Sequence, residues 1–92
     1  MMQIIEFVSF VKRAKNRQKV LLSVDNLTMP SEIVRKIFGK WSSSRYVIVS
    51  RALTELAEKG LIKIENPEDK VGRLYSLTTL GRKVIKYLKY NL

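Results

Sequence analysis

Residues 43–65 read SSRYVIVSRALTELAEKGLIKIE, and the organisation of the whole chain turns on how this stretch divides. From about Ser43 to Lys59, Tyr46, Val49, Leu53, Leu56 and Ala57 recur at the three- and four-residue spacing of one helical face, and Glu55 stands four residues before Lys59. Gly60 follows, the residue type that ends helices because it enters the left-handed conformation without a Cβ clash. Beyond it, Leu61-Ile62-Lys63-Ile64-Glu65 reads as a strand. A long helix that passes through one glycine directly into a strand is therefore expected at the centre of the fold.

Reading outward, Asn66 to Gly72 is a loop and Arg73-Leu74-Tyr75-Ser76-Leu77 a returning strand, so that 61–77 forms a hairpin. Thr78 and Thr79 are caps for a last helix in which Leu80, Val84, Tyr87 and Leu88 share a face. Upstream, Thr28 or Met29 precedes Pro30, a residue suited to a first helical turn, and Ile33, Val34, Ile37 and Phe38 carry that helix to Gly39. Gly39 to Ser44 is a turn whose serines cap the long helix. Nearer the N-terminus, Ile4, Ile5, Phe7, Val8 and Val11 form one helical side. A second helix, with Asn16 as N-cap, carries Val20, Leu21, Leu22 and Val24 and ends near Asp25-Asn26; whether it is separate from the first or continuous with a bend is open. The fold class expected is mostly α with a small β-hairpin (α+β), in a single domain spanning 1–92.

Composition narrows the function. Hydrophobic residues make up 46% and charged residues 28%, a globular balance, but 18 Lys and Arg oppose 8 Asp and Glu for a net charge of +10. Such a field attracts polyanions, nucleic acid first, although excess lysine also serves solubility alone. There is no Cys and no His, which removes disulfides, thiolate nucleophiles, Cys/His zinc sites and imidazole chemistry. The acids Glu32, Glu55, Glu58, Glu65, Glu68 and Asp69 form no spaced pair with a base or nucleophile, and no Gly-rich phosphate loop exists. Neither an enzyme nor a cofactor or metal site is expected. The apolar start, Met1 to Val11, has its positive charges after the apolar stretch and no small-residue cleavage site, unlike a signal peptide. No apolar run reaches the ~20 residues of a membrane span. A cytoplasmic, nucleoid-associated protein is the expectation.

The order helix, helix, turn, long helix, two-stranded hairpin is the layout of a winged helix-turn-helix, with the long helix (about 43–59) in the major groove and the hairpin (61–77) as the wing. Pro30-Ser31-Glu32-Ile33, Val49-Ser50-Arg51-Ala52-Leu53, Leu56-Ala57-Glu58-Lys59-Gly60-Leu61-Ile62 and Gly72-Arg73-Leu74-Tyr75-Ser76-Leu77-Thr78 resemble archaeal winged-helix regulators related to the MarR and ArsR groups, over about Phe7 to Lys86. The chain departs from that pattern between the paired helices, where Gly39 to Ser44 carries two or three additional residues. The resemblance implies a sequence-specific, double-stranded DNA-binding transcriptional regulator.

Candidate DNA-binding residues follow from that layout. Ser44, Arg45, Tyr46, Ser50 and Arg51 are placed to meet base edges, with Ser43 and Ser44 suited to phosphates near the helix N-terminus. Arg45 and Arg51 suit guanine O6 and N7 or phosphate; alternatively they lie on a solvated face, Arg51 pairing with Glu55. Tyr46 is a base contact or a half-buried aromatic, and Ile48 a thymine-methyl contact or an ordinary exposed aliphatic. Arg35, Lys36 and Lys40 suit backbone phosphates, and Lys70 and Arg73 a minor groove or adjacent phosphates, although Pro67-Glu68-Asp69 puts two acids near the loop tip. The basic run Lys12, Arg13, Lys15, Arg17 and Lys19 is a further phosphate surface or solvated spacing, and Trp41 covers the core edge, touches sugar or marks a partner surface.

Terminal helices 1–14 and 78–91 carry apolar faces suited to a homodimer, which would set two reading helices ~34 Å apart on a palindromic site; packing on their own domain is the alternative. Rival functions are a sequence-tolerant chromatin protein, a winged-helix protein-interaction module and a membrane-surface role for the first helix. Nothing in the sequence speaks to a small-molecule effector.

Overall fold

The computed structural model of the chain describes residues 3–90. Helices α1 (Ile4–Lys12) and α2 (Lys15–Ser23) are followed by α3 (Pro30–Phe38), α4 (Ser43–Glu58), the strands β1 (Ile62–Ile64) and β2 (Tyr75–Leu77), and α5 (Thr79–Tyr90). The architecture is the expected mostly helical α+β arrangement with an antiparallel hairpin, its register pairing Ile62 with Leu77, Lys63 with Ser76 and Ile64 with Tyr75. No described helix is long and apolar enough to cross a membrane. Of the terminal segments, Met1, Met2 and Asn91 lie outside the described residues.

α1 and α2 are separate. The chain breaks at Ala14, whose extended backbone (φ −134°, ψ 117°) makes it the N-cap of α2. Asn16, expected in that role, lies inside the first turn instead. The reason is Arg17, whose guanidinium reaches back to the Phe10 carbonyl, one of the α1 carbonyls that no helical N–H can satisfy. The arginine serves the end of α1 as a donor, and α2 begins at Ala14 with no side-chain cap. α2 ends at Ser23, earlier than Asp25-Asn26, because Val24 turns extended (ψ 126°) to bury its side chain.

Between α2 and α3 lies an element that periodicity does not announce. Thr28 pairs with Tyr75, its N–H donating to the Tyr75 carbonyl (2.8 Å) and its carbonyl accepting from the Tyr75 N–H (2.9 Å). One residue therefore acts as a third strand on the outer edge of β2. The buried Thr28 hydroxyl also accepts from the Asp25 N–H (3.0 Å), closing the loop on itself. Met29 is the N-cap of α3, with Pro30 first in the helix and the Glu32 carboxylate accepting from the Met29 N–H (3.3 Å).

The α4–β1 joint is as expected. Gly60 takes φ +77°, its N–H donates to the Ala57 carbonyl (3.0 Å), and the Leu61 N–H donates to the Leu56 carbonyl (3.0 Å). This paired closure ties the last turn of α4, and Leu61 beyond it is fully buried. α5 starts on the same joint. The Thr78 hydroxyl donates to the Gly60 carbonyl (2.6 Å) and accepts from the Gly81 N–H (3.0 Å), while the Thr78 N–H donates to the Leu61 carbonyl (3.2 Å). Thr78, not Thr79, is the cap.

One hydrophobic core runs through all five helices and the hairpin, built from Val11, Val20, Leu21, Ile33, Val34, Val49, Leu53, Leu56, Leu61, Ile62 and Val84. Four residues expected on apolar faces lie outside it: Ile5, Leu22, Tyr46 and Tyr87 are exposed. On α1, Val8 and Val11 reach the core with Ile4 and Phe7 packed beside them, which leaves Ile5 on the rim of the apolar stripe.

Gly81 is buried against the Leu61 carbonyl, and a Cβ there would overlap that backbone group. Gly81→Ala is expected to cost about 3 kcal/mol by forcing α5 off the joint, lowering the thermal midpoint by at least about 10 °C in a circular-dichroism melt.

Candidate nucleic-acid interface

α4 buries Val49, Ala52, Leu53 and Leu56, so its other side faces outward. The Ser42 hydroxyl accepts from the Arg45 N–H (3.2 Å), which sets the first helical residue at Ser43 despite the long preceding turn. Tyr46, Ser50 and Thr54, each one turn apart, line a groove whose opposite wall is the hairpin loop at Lys70, Val71, Gly72 and Arg73. Met29, Pro30 and Ser31 at the start of α3, and Tyr75 of β2, complete it. Sequence reading placed Tyr46, Ser50, Lys70 and Arg73 in this neighbourhood. It missed Thr54 and Met29 to Ser31, which come together only because the Thr28–Tyr75 bridge pulls the start of α3 onto the hairpin.

The candidate cations divide into two kinds. Arg51 is exposed and forms no ion pair within 4.0 Å among the described residues. The expected alternative, a pair with Glu55, does not form, because the Glu55 carboxylate is held by Arg17 across the α2–α4 contact (3.3 Å). Arg17 itself is only 14% exposed and lies over the Phe10 ring at 4.0 Å, with Lys59 over the same ring at 5.3 Å. In the basic run, then, Arg17 is a packing residue, while Lys12, Arg13, Lys15 and Lys19 are exposed.

Arg45 is also engaged: its guanidinium donates to the Lys40 carbonyl (3.2 Å) and lies over the Phe38 ring at 5.5 Å, so it staples the turn between α3 and α4. Lys36 donates to the Ser23 carbonyl (3.2 Å) and lies 3.6 Å from the Asp25 carboxylate, a half-exposed pair that ties α3 to the end of α2. Arg35 and Lys40 are exposed. Ser43 and Ser44 are exposed at the start of α4, the Ser44 hydroxyl lying 3.3 Å from that of Ser42. Trp41, beside them in the turn, has half its surface in solvent.

The apolar residues of α4 complete the picture. Tyr46 is 40% and Val47 54% exposed. Ile48, expected as a thymine-methyl contact or an ordinary exposed aliphatic, is 38% exposed on the side of α4 nearer α2, where it lines a recess with Ala14, Asn16, Arg17 and Arg51. Val47 instead lies with Ser50, Arg51 and Thr54 on the outward face.

The hairpin loop is held by one side chain that sequence reading passed over as ordinary loop composition. Asn66 donates through Nδ2 to the Asp69 carboxylate (3.0 Å) and the Gly72 carbonyl (3.1 Å), and its Oδ1 accepts from the Leu74 N–H (2.7 Å). Arg73 donates through Nε to the Asp69 carbonyl (3.0 Å), so the loop presents Lys70 and the 90%-exposed Val71 at its tip. At the loop's base, the Ser76 hydroxyl hydrogen-bonds the Glu65 carboxylate, which with the nearby Lys63 ammonium holds that carboxyl below its ordinary range. A lowered carboxylate pKa stabilises the hairpin base above the ordinary carboxylate range, a contribution lost as pH falls through the lowered value.

No protein-family model, curated protein or solved structure matches this chain.

Asn66→Ala removes the three loop hydrogen bonds that its side chain makes. Amide exchange at Leu74 is expected to accelerate by about tenfold or more while Leu53 and Leu56 keep their protection, as read by hydrogen-exchange NMR.

Proposed function

We propose that this chain is a winged helix-turn-helix protein that binds double-stranded DNA as a sequence-specific transcriptional regulator, with α4 in the major groove and the 61–77 hairpin as a wing beside it. The observation that carries this reading is the shared groove between α4 and the hairpin loop, where Tyr46, Ser50 and Thr54 face Lys70 and Arg73. The small side chains of Ser50 and Thr54 let base edges approach α4 closely, and Lys70 and Arg73 can hold the adjacent phosphates from a loop whose net charge Glu68 and Asp69 bring to zero. The net charge of +10 supports a polyanionic partner. The resemblance to MarR- and ArsR-related regulators belongs to the same proposal.

Within it, Arg51 is the direct reader, and Ser43, Ser44, Arg35, Lys40, Lys70 and Arg73 are backbone contacts. Arg45 and Lys36 act by holding the α3–α4 turn and the α2–α3 corner, from which they can also reach phosphate. The protein works as a homodimer through α1 and α5, whose exposed Ile5 and Tyr90 remain after Val8, Val11, Val84 and Leu88 have packed inside the domain. The sequence-tolerant chromatin reading has its own support in the cations away from the groove, Arg82, Lys83, Lys86 and Lys89 on α5 and Lys12, Arg13, Lys15 and Lys19 near α1 and α2.

Titration of the full chain against genomic-fragment and random duplexes at two salt concentrations tests the proposal. Salt-dependent binding is expected, with one fragment preferred by about 10³-fold or more. Equal affinity for every duplex would transfer the proposal to the chromatin reading, and absence of salt-dependent binding would overturn both. On the preferred fragment, Arg51→Ala is expected to lose about 1–3 kcal/mol of discrimination at one base pair, whereas Lys70→Ala weakens all duplexes alike.

A further inference from the structure

The outward face of α4 has an unusual make-up for a surface charged at +10. Reading along it, Ser43 and Ser44 are followed one turn on by Val47 with Tyr46 beside it, then Ser50 and Arg51, then Thr54, and the acids Glu55 and Glu58 close the far end. Ser43, Ser44, Ser50 and Thr54 are short and leave the middle of the face low, and beside the Tyr46 ring a branched aliphatic projects there with 54% of its surface in water. Folding does not require a valine at this position, since Val49, Ala52, Leu53 and Leu56 fill the core side of the helix. Its neighbours are less exposed: Tyr46 (40%) is shared between this face and the groove beside the hairpin loop, and Ile48 (38%) lies on the side toward the start of α2.

Among the base edges of the major groove, the C5-methyl of thymine is the apolar feature, and an aliphatic side chain is what recognises it. Resting on the DNA-binding reading above, we propose that Val47 is a specificity-determining residue that packs on a thymine C5-methyl, within two base pairs of the base contacted by Arg51. Residues 47 and 51 are four apart, about 6 Å along the helix axis, and base pairs rise by about 3.4 Å. The strong positive charge favours a polyanionic occupant for this face over an apolar protein surface. Covering the methyl and the valine together removes apolar surface from water on both partners.

The test removes the methyl alone. The full chain selects duplexes from a library with a randomised central segment, and the recovered duplex is resynthesised with deoxyuridine in place of each thymine in turn. Deoxyuridine lacks the methyl and keeps every hydrogen-bonding group. At one thymine, or at one per half-site, the substitution is expected to weaken binding roughly fourfold, the worth of one buried methyl. Val47→Ala, checked by an unchanged thermal midpoint, is expected to bind the thymine duplex more weakly by a similar factor and to lose the distinction between thymine and uracil. Arg51→Ala keeps that distinction. A recovered duplex that binds equally with uracil at every position overturns the inference while leaving DNA binding intact, and so does a Val47→Ala protein that retains the full discrimination. Failure to recover any duplex, together with no salt-dependent binding to bulk DNA, overturns the DNA-binding reading itself.

Discussion

The left-handed step at Gly60 is the constraint on which the rest of this structure depends. It ends α4, tucks Leu61 into the core and sends the chain off as β1. The carbonyls exposed at that step then become the landing place for α5, through the Thr78 hydroxyl on Gly60 and the Thr78 N–H on Leu61. Gly81 lets α5 come down onto the Leu61 backbone without a side chain between them. The direction of the hairpin relative to α4, and hence the groove between them, is therefore set by a few backbone atoms.

A second set of interactions decides which charges remain available. In a chain so rich in cations, each acid that folds against a cation removes one from service. Glu55 takes Arg17, Asp25 takes Lys36 and Glu65 takes Lys63. Arg17 does more than balance a charge, since its guanidinium lies on Phe10 and satisfies the end of α1, packing that a lysine's compact ammonium would not reproduce. Because Glu55 is committed to α2, Arg51 one turn earlier on α4 has no ion-pair partner among the described residues. The same contact that locks α2 to α4 thereby frees the cation in the middle of the outward face.

The groove shows the same coupling between folding and candidate chemistry. Its α4 wall is a property of one helix, but its floor and far wall depend on Thr28 bridging to Tyr75 and on Asn66 gathering the loop. Each supplies backbone hydrogen bonds that would otherwise go unmade in a partly buried place.

Sequence by itself determined the order of elements, the span of α4, the glycine joint, the hairpin and the excess of positive charge, because these rest on local periodicity, on glycine's access to positive φ and on counting. It placed Ser43, Ser44, Ser50 and Arg51 on the long helix and Lys70 in the hairpin loop, where the structure has them, while Tyr46, read on the apolar face, is exposed and Arg73, read in the returning strand, precedes it. Tertiary structure alone decided that Arg17 is a packing residue, that Arg45 and Lys36 are tied to neighbouring carbonyls, that Val47 is more exposed than Ile48, and that Ala14 rather than Asn16 begins α2. The physical reason is common to all four. Each depends on which group from a distant or adjoining element arrives beside the side chain, and a helix repeat of 3.6 residues gives a face its direction without saying what will cover it.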